Sequence, residues 1–386
     1  MIAQPLVARY DAATIDTLEW PDTPDGRYAR SVLAPMVRHG PAHLIANAQA
    51  EVQVLRVGDA LLPLVLANAA ASPQSYVCSP TVHYIDYACR EVELELGGRP
   101  LARAVFPSLL RLLRIPLGWA QFEQVVYVNN WLLSTNLYPA LPLDALPAVR
   151  DALAAAFPDR AIVFRSVSDM LGEPLRGRLA RLGFRGVFSR QVYLLDPRDG
   201  GYARKKSFQK DRSLARRSPY QWGAAQQIAP HEIGRVKHLY DSLYIDKYSA
   251  FNPQFTEQFF AEALREGWLM LMAARRDGRV DGVLGFVERN GVMTTPLIGY
   301  DRSLPAEDGL YRLISLKLVE EAAARGLVLH QSSGAAAFKR HRGSLPSVEY
   351  NMVYDRHLPP ARRAPWAALA TLTSTLIVPL MRLYGL

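Results

Sequence analysis

The chain has 386 residues, 49% hydrophobic and 21% charged, with a net charge of +9. That composition excludes an intrinsically disordered chain, and the length predicts two domains, or three. Only two cysteines occur, Cys78 and Cys89. They exclude a disulfide framework, offer no paired spacing for zinc, and are expected to be buried thiols.

The first twenty residues hold no basic stretch followed by an apolar run, so no secretory signal is expected and the expected location is cytoplasmic. The positive charge is local. Segment 204–217, RKKSFQKDRSLARR, supplies +6 of the +9, and the tail from Arg356 adds four arginines and no acid. Such a balance points to nucleic acid, anionic lipid or a phosphate-bearing substrate at two local sites.

In chain order, residues 51–66 alternate around a Gly-Asp turn and predict a hairpin, as do the runs flanking Gly97-Gly98. Residues 106–118 predict a short helix stopped by Pro116. QVVYVNNWLL at 124–133 predicts a strand, 143–156 a helix, AIVFRSV at 161–167 a strand, PLRGRLARLGF a helix ended by Gly183, and SRQVYLLD a strand. The turn-rich stretch 196–201 is the best boundary, and the basic run after it is expected to be helical. Helices are predicted from His231 to Tyr244 and over 255–266, then strands separated by Asp277-Gly278 and Asn290-Gly291. A helix over 309–325 capped by Gly326, strand LVLHQSS, a Gly-Ala loop, FKRHRG and strand SVEYNMVYD complete the pattern. The fold class is therefore α+β or α/β, and the endings of the two halves echo each other.

Three stretches carry a resemblance. They are the strand pair VDGVLGFVERNGVMTTPLIGYD, the helix opening GLYRLISLKLVEEAAARG, and HQSSGAAAFKRHRG. Their order and spacing resemble the GNAT superfamily of N-acyltransferases, and more closely its FemAB-like branch; the Lys/Arg-rich opening of the second half is also like that branch. The resemblance implies two tandem GNAT-like domains, each a mostly antiparallel mixed sheet flanked by helices. They would occupy residues 1–200 and 201–358, the second opening with the basic segment, followed by an apolar tail helix at 359–386. It implies transfer of an acyl or aminoacyl group from an activated ester to an amine. The donor would be a phosphate-bearing cosubstrate, acyl-CoA, acyl-carrier protein or aminoacyl-tRNA, with no bound cofactor or metal. One departure stands out. The Gly-rich pyrophosphate loop of acetyl-CoA-dependent relatives is replaced by DRSLPAEDGLYR, whose Asp301, Glu307 and Asp308 would repel a pyrophosphate. Arg342 stands where an aromatic is usual.

Lys339 is the first candidate for catalysis, because a fixed cation stabilises the oxyanion that grows in acyl transfer; the competing reading is a surface lysine in a basic turn. Tyr300 ends the central strand where such sheets splay, and Asp86 in HYIDY is a candidate base for the amine. Candidates for substrate contact are Lys205, Lys206 and Arg212 in the basic run, Asn129 and Asn130 in VNNW, Tyr311 and Arg312 at the helix start, Ser332 and Ser333, and Arg342. The tail has 18 uncharged residues, about 27 Å as a helix. Trp366, Leu369, Leu372, Leu376 and Leu380 share one face, which fits an interfacial helix at the inner face of a membrane or a helix packed on the first domain. The alternative to an enzyme is a non-catalytic module that binds nucleic acid or membrane through the basic segment and the tail.

Overall fold

The computed structural model describes residues 7–68, 74–90, 108, 110–379 and 381. The expected hairpin around Gly97-Gly98 and the tail position Leu380 lie outside the described residues. Twelve strands form one sheet: β1 (Val7–Tyr10), β2 (Ala50–Val57), β3 (Ala60–Ala67), β4 (Val125–Val128), β5 (Ala161–Ser168), β6 (Arg185–Leu195), β7 (Gln221–Ala224), β8 (Met270–Arg276), β9 (Arg279–Arg289), β10 (Val292–Tyr300), β11 (Val328–His330) and β12 (Leu345–Tyr354). Their order across the sheet is β1-β2-β3-β4-β5-β12-β6-β11-β10-β9-β8-β7.

That order is a palindrome. Replacing each of the first six strands by the strand six later reads the sheet from its other end. The two parallel pairs, β4–β5 and β10–β11, occupy equivalent places, and the other pairs are antiparallel. The fold is thus two tandem GNAT-like units, each a mostly antiparallel mixed sheet flanked by helices. The sixth strands are exchanged: β12 pairs with β5, β6 pairs with β11, and β6 and β12 pair with each other at the seam.

Ten helices among the described residues cover both faces: α1 (Pro24–His39), α2 (Arg114–Trp119), α3 (Leu146–Ala156), α4 (Glu173–Arg181), α5 (Lys206–Arg217), α6 (Ile233–Asp241), α7 (Glu257–Glu266), α8 (Leu310–Arg325), α9 (Ala336–Arg340) and α10 (Pro360–Leu372). One core, built from both units, lies under α1, α6, α7 and α10. On the opposite face, α3 and α4 cover β2–β5, and α8 covers β9–β11. Alternation along the strands feeds the two faces: Ile162 and Phe164 go to one, Ala161 and Val163 to the other. The Asp277-Gly278 and Asn290-Gly291 turns form as expected, with φ of 52° and 80°, then 49° and 76°. Positive φ at both central residues is what a tight two-residue hairpin demands.

Several elements differ from expectation for local reasons. Pro116 lies in the first turn of α2, where its missing N–H is not needed, so it opens that helix and does not stop it. The strand expected over 124–133 ends at Val128, because Asn129 takes φ 59°. The strand expected over 327–333 shrinks to Val328–His330, because Ser332 takes φ 57°. Helix α1 and strands β1 and β7 went unpredicted. The tail helix α10 lies along β6 and buries Trp366 against Phe122, ring centroids 4.4 Å apart. Leu369 also packs on the core, whereas Leu372 and Leu376 are exposed, so the single apolar face drawn from the sequence is divided between core and solvent. Among the described residues no helix is long and apolar enough to cross a membrane.

Candidate active site

Strands β10 and β11 run side by side for only three residues, Val292–Thr294 against Val328–His330. Beyond His330 the chain leaves the sheet through Ser332, Gly334 and Ala335, with φ of 57°, 76° and 49°. Leu297–Tyr300 of β10 then pair only with β9, and the sheet splays on the β11 side. Gly299 lets α6 lie directly on this part of β10, since a Cβ there would sit 2.6 Å from the Leu239 carbonyl carbon.

Lys339 anchors the departing loop. Its Nζ donates to the carbonyls of Gln331 (2.6 Å), Ser333 (2.8 Å) and Ser332 (3.3 Å). The side chain is buried, which corrects the surface reading. Its N–H donors point at its own loop, so in this state it holds Ser332 and Ser333 in place and presents no open cation. Burial, with Arg190 nearby, pushes its ammonium down to about 7. Ser332 is fixed a second time, its Oγ accepting from Arg190 at 3.1 Å.

A wall of tyrosines stands at the splay. The Tyr300 and Tyr311 rings are 6.1 Å apart, and Tyr311 lies 4.8 Å from Phe338. Tyr248, in the π-helical turn Ser242–Tyr248, is their electrostatic neighbour and had not been singled out from the sequence. Burial, and then Tyr248, push the Tyr300 hydroxyl up; burial pushes Tyr311 up to about 12. These hydroxyls stay protonated at neutral pH, so they can donate hydrogen bonds but cannot serve as bases. Arg90 donates to the Tyr248 carbonyl at 2.9 Å, which ties the segment bearing Asp86 to the wall. Asp86 itself pairs with Arg114 at 2.8 Å, and burial pushes its carboxyl up against that pairing.

The basic segment forms α5 beside α8. Phe208, Asp211 and Leu214 turn inward at helical spacing, while Arg204, Lys205, Lys206, Lys210, Arg212, Arg216 and Arg217 are exposed. Asp211 is buried and accepts from both Arg312 (2.6 Å) and Arg342 (2.5 Å). The guanidinium of Arg342 also lies 3.3 Å over the Phe338 ring. Arg312 and Arg342 therefore dock the basic helix, a correction to their expected role in meeting substrate. The charge argument about the loop before α8 is corrected too. Asp301 accepts from Arg235 (2.7 Å) and Arg279 (2.5 Å), and Asp308 from Arg276 (2.9 Å). Two of the three acids are thereby neutralised.

Asn129 and Asn130 line no cleft. Both are fully buried and spend their amides on their own surroundings. Asn129 accepts from Trp131 Nε1 at 2.8 Å, and Asn130 donates to the Val77 carbonyl at 2.7 Å while accepting from Arg165 at 2.9 Å. What they position is the loop that follows. Thr135, Asn136 and Tyr138 of that loop face a cavity of about 230 Å³ between the units, completed by Ser166, Arg289, His330 and Glu349. Over it, Arg190 pairs with Glu349 (2.6 Å) and donates to Thr135 (3.0 Å), and His330 Nε2 meets Glu349 at 3.1 Å. The Ser332 N–H donates to His330 Nδ1 at 3.1 Å, so the ring proton sits on Nε2. None of the expected site residues lines this cavity. Among the described residues, no group of three or more His, Cys, Asp or Glu could hold a metal, and both cysteines are buried.

Residues 202–340, from the start of the basic segment through α9, match the acetyltransferase (GNAT) domain family. No protein of curated function matches the chain. Among solved structures the fold is similar to that of FemX, with a TM-score of 0.50 and 9% identity over 81% of this chain and 90% of that one. A conserved protein of unknown function from Bacteroides thetaiotaomicron gives 0.48 and 14% over 89% and 96%. L-PGS from Bacillus licheniformis gives 0.45 and 14% over 64% and 83%. The chain thus has a fold similar to that of FemX, and its residues 202–340 match the acetyltransferase (GNAT) domain family.

Proposed function

We propose that this acyltransferase fold moves an acyl or aminoacyl group from an activated ester on a phosphate-bearing donor to an acceptor amine. One juxtaposition carries the reading: the exposed cations of α5 are docked through Asp211 onto Arg312, next to the tyrosine wall at the splay of β10 and β11. Clustered lysines and arginines attract a phosphate-bearing donor, acyl-CoA, acyl-carrier protein or aminoacyl-tRNA alike, with little other demand on geometry. The amine nitrogen attacks the donor carbonyl. A C–N bond forms, the donor's C–O or C–S bond breaks, the donor leaves with a proton, and the nitrogen gives up its own. The protonated hydroxyls of Tyr300 and Tyr311 donate to the carbonyl oxygen as its charge grows. Lys339 is a positioning residue that holds the Ser332–Ser333 loop in place, and Asp86 is the candidate acceptor of the amine's proton.

The test is to offer the purified chain radiolabelled acyl-CoA, acyl-carrier protein and aminoacyl-tRNA with a panel of amines, and to look for hydroxylamine-resistant amide product. Amide from one donor class, lost in Tyr300→Phe, supports the reading. Tight, salt-sensitive binding of RNA or vesicles without turnover of any donor overturns it in favour of a non-catalytic module.

A further inference from the structure

The repeat gives the first unit a splay of its own. Strands β4 and β5 are the counterparts of β10 and β11, and they run parallel only over Val125–Val128 and Ala161–Phe164. Here β4 is the strand that leaves, with φ of 59° at Asn129 and again at Leu132, a conformation that a bulky side chain adopts only under constraint. The departing loop, Ser166 and the start of α4 wall the cavity of about 230 Å³ together with residues of the second unit. That volume is the share of roughly eight waters, too small for a drug-sized ligand. Its lining is of two kinds. Leu141, Leu143, Leu171 and Leu175 make much of it apolar. The others include Thr135 and Ser166, only 2% and 8% exposed. Thr135 Oγ1 accepts from Arg190 at 3.0 Å, and Ser166 Oγ accepts from the Asn136 amide at 3.1 Å. That amide is fixed in this sense, because its Oδ1 accepts from the Trp131 N–H at 2.8 Å. Among the described residues neither hydroxyl donates, so two buried O–H groups lack an acceptor. The charged groups are already spent: Arg190 and His330 on Glu349, and Arg289 on Asp25 at 2.5 and 2.9 Å.

We infer that this cavity is a second ligand site, for a compact apolar molecule carrying one uncharged carbonyl. A carbonyl oxygen offers lone pairs and no hydrogen, which suits hydroxyls that have only a proton left to give. A carboxylate or an ammonium would be buried without a free counter-charge, since each charged side chain facing the cavity already has its partner. A pure hydrocarbon would leave both hydroxyls unsatisfied. Water alone would satisfy them but leave four leucines wetted. The inference is independent of the acyl-transfer reading, because binding here needs no donor and no turnover.

The full chain, carrying isotope-labelled leucine methyls, is titrated by NMR with probes that share a phenyl ring: acetophenone, ethylbenzene, benzoate and benzylamine. Acetophenone should shift the Leu141, Leu143, Leu171 and Leu175 resonances saturably, and bind at least about tenfold more tightly than each of the others. Thr135→Val keeps the shape and removes the hydroxyl; it should weaken acetophenone about tenfold and leave ethylbenzene unchanged. Should that variant fail to fold, Leu143→Trp decides, since it fills the cavity from a half-buried wall position and should abolish acetophenone binding. Ethylbenzene as tight as acetophenone reduces the site to an apolar void and overturns the proposal. So does tighter benzoate or benzylamine, which means that a charge in the cavity is free. Leucine shifts with none of the probes mean that only water enters, and shifts that survive Leu143→Trp place the binding elsewhere; each of these results also overturns it.

Discussion

Arg190 and Glu349 face each other across the seam of the sheet, Nε to Oε2 at 2.6 Å, and each is the other's counterpart in the repeat. Arg190 lies five residues before the end of β6 and Glu349 five before the end of β12. The exchange of sixth strands brings the two equivalent positions together, and there the repeat has diverged into opposite charges. The pair is buried, and breaking one side of a buried pair leaves an uncompensated charge. Glu349→Gln is expected to cost about 3 kcal/mol in urea unfolding, whereas Arg190→Met with Glu349→Met should recover most of it.

The same pair sets an acid limit. Burial pushes the Glu349 carboxyl up, but Arg190 and His330 outweigh it and hold the group at about 2, against 4.5 unfolded. A depressed carboxylate contributes stability that is present above the unfolded value and lost as pH falls through the folded one. The melting temperature should therefore drop between pH 4.5 and 2, and Glu349→Gln should flatten that part of the profile. An unchanged slope in the variant would place the acid sensitivity elsewhere.

Much of this fold was legible because its signals are local. Tight turns such as Asp277-Gly278 and the helical spacing of 309–325 need only neighbouring residues. What the sequence hid depends on partners far along the chain. Nothing near Lys339 says that its ammonium will close onto carbonyls six to eight residues back, because that requires the positive φ of Ser332, Gly334 and Ala335. Nor does the run VEYN announce that Glu349 meets Arg190, a contact made by strand exchange. Arg342 is the clearest case: a cation in a basic turn reads as a substrate contact until Asp211, one acid inside a basic helix, is seen to claim it.

Lys339→Met should destabilise the chain. An exposed lysine would tolerate the change, but here three carbonyls lose their donor, at a cost of about 2 kcal/mol. The pH dependence separates this from simple packing. The folded ammonium sits at about 7 against 10.5 when free, so the unfolded chain holds the proton longer, and the stability this group contributes rises from pH 7 toward 10.5. Thermal melts over that range should show the rise in the native chain and lack it in the variant. Identical profiles would mean that the three carbonyls keep the ammonium charged throughout.

The exchanged strands make the units interdependent. Residues 1–200 alone leave β5 without β12 on its free edge and β6 without either neighbour. Open strand edges recruit other chains. Expressed separately, residues 1–200 and 201–386 should each aggregate, and co-expression should yield a soluble one-to-one complex. A monomeric first half with a cooperative melt would show that the exchange is dispensable.

Steering and chemistry should separate in kinetics. Lys205 and Lys206 are exposed at the start of α5, so replacing both by Gln should weaken donor binding, raise KM and reduce its dependence on salt, with kcat little changed. Tyr300 and Tyr311 are held at the splay with hydroxyls that remain protonated, and their donation matters only as negative charge grows on the carbonyl oxygen. Tyr300→Phe and Tyr311→Phe should each lower kcat by roughly 10²-fold, the scale of losing one donor to an oxyanion, while leaving KM and the thermal melt close to native. The double variant tests whether both hydroxyls serve one oxygen. If they do, the second loss should be smaller than the first, because catalytic groups acting as a unit are not additive. Full kcat in both single variants, with a normal melt, would move the chemistry away from the splay and toward the cavity walled by His330 and Glu349.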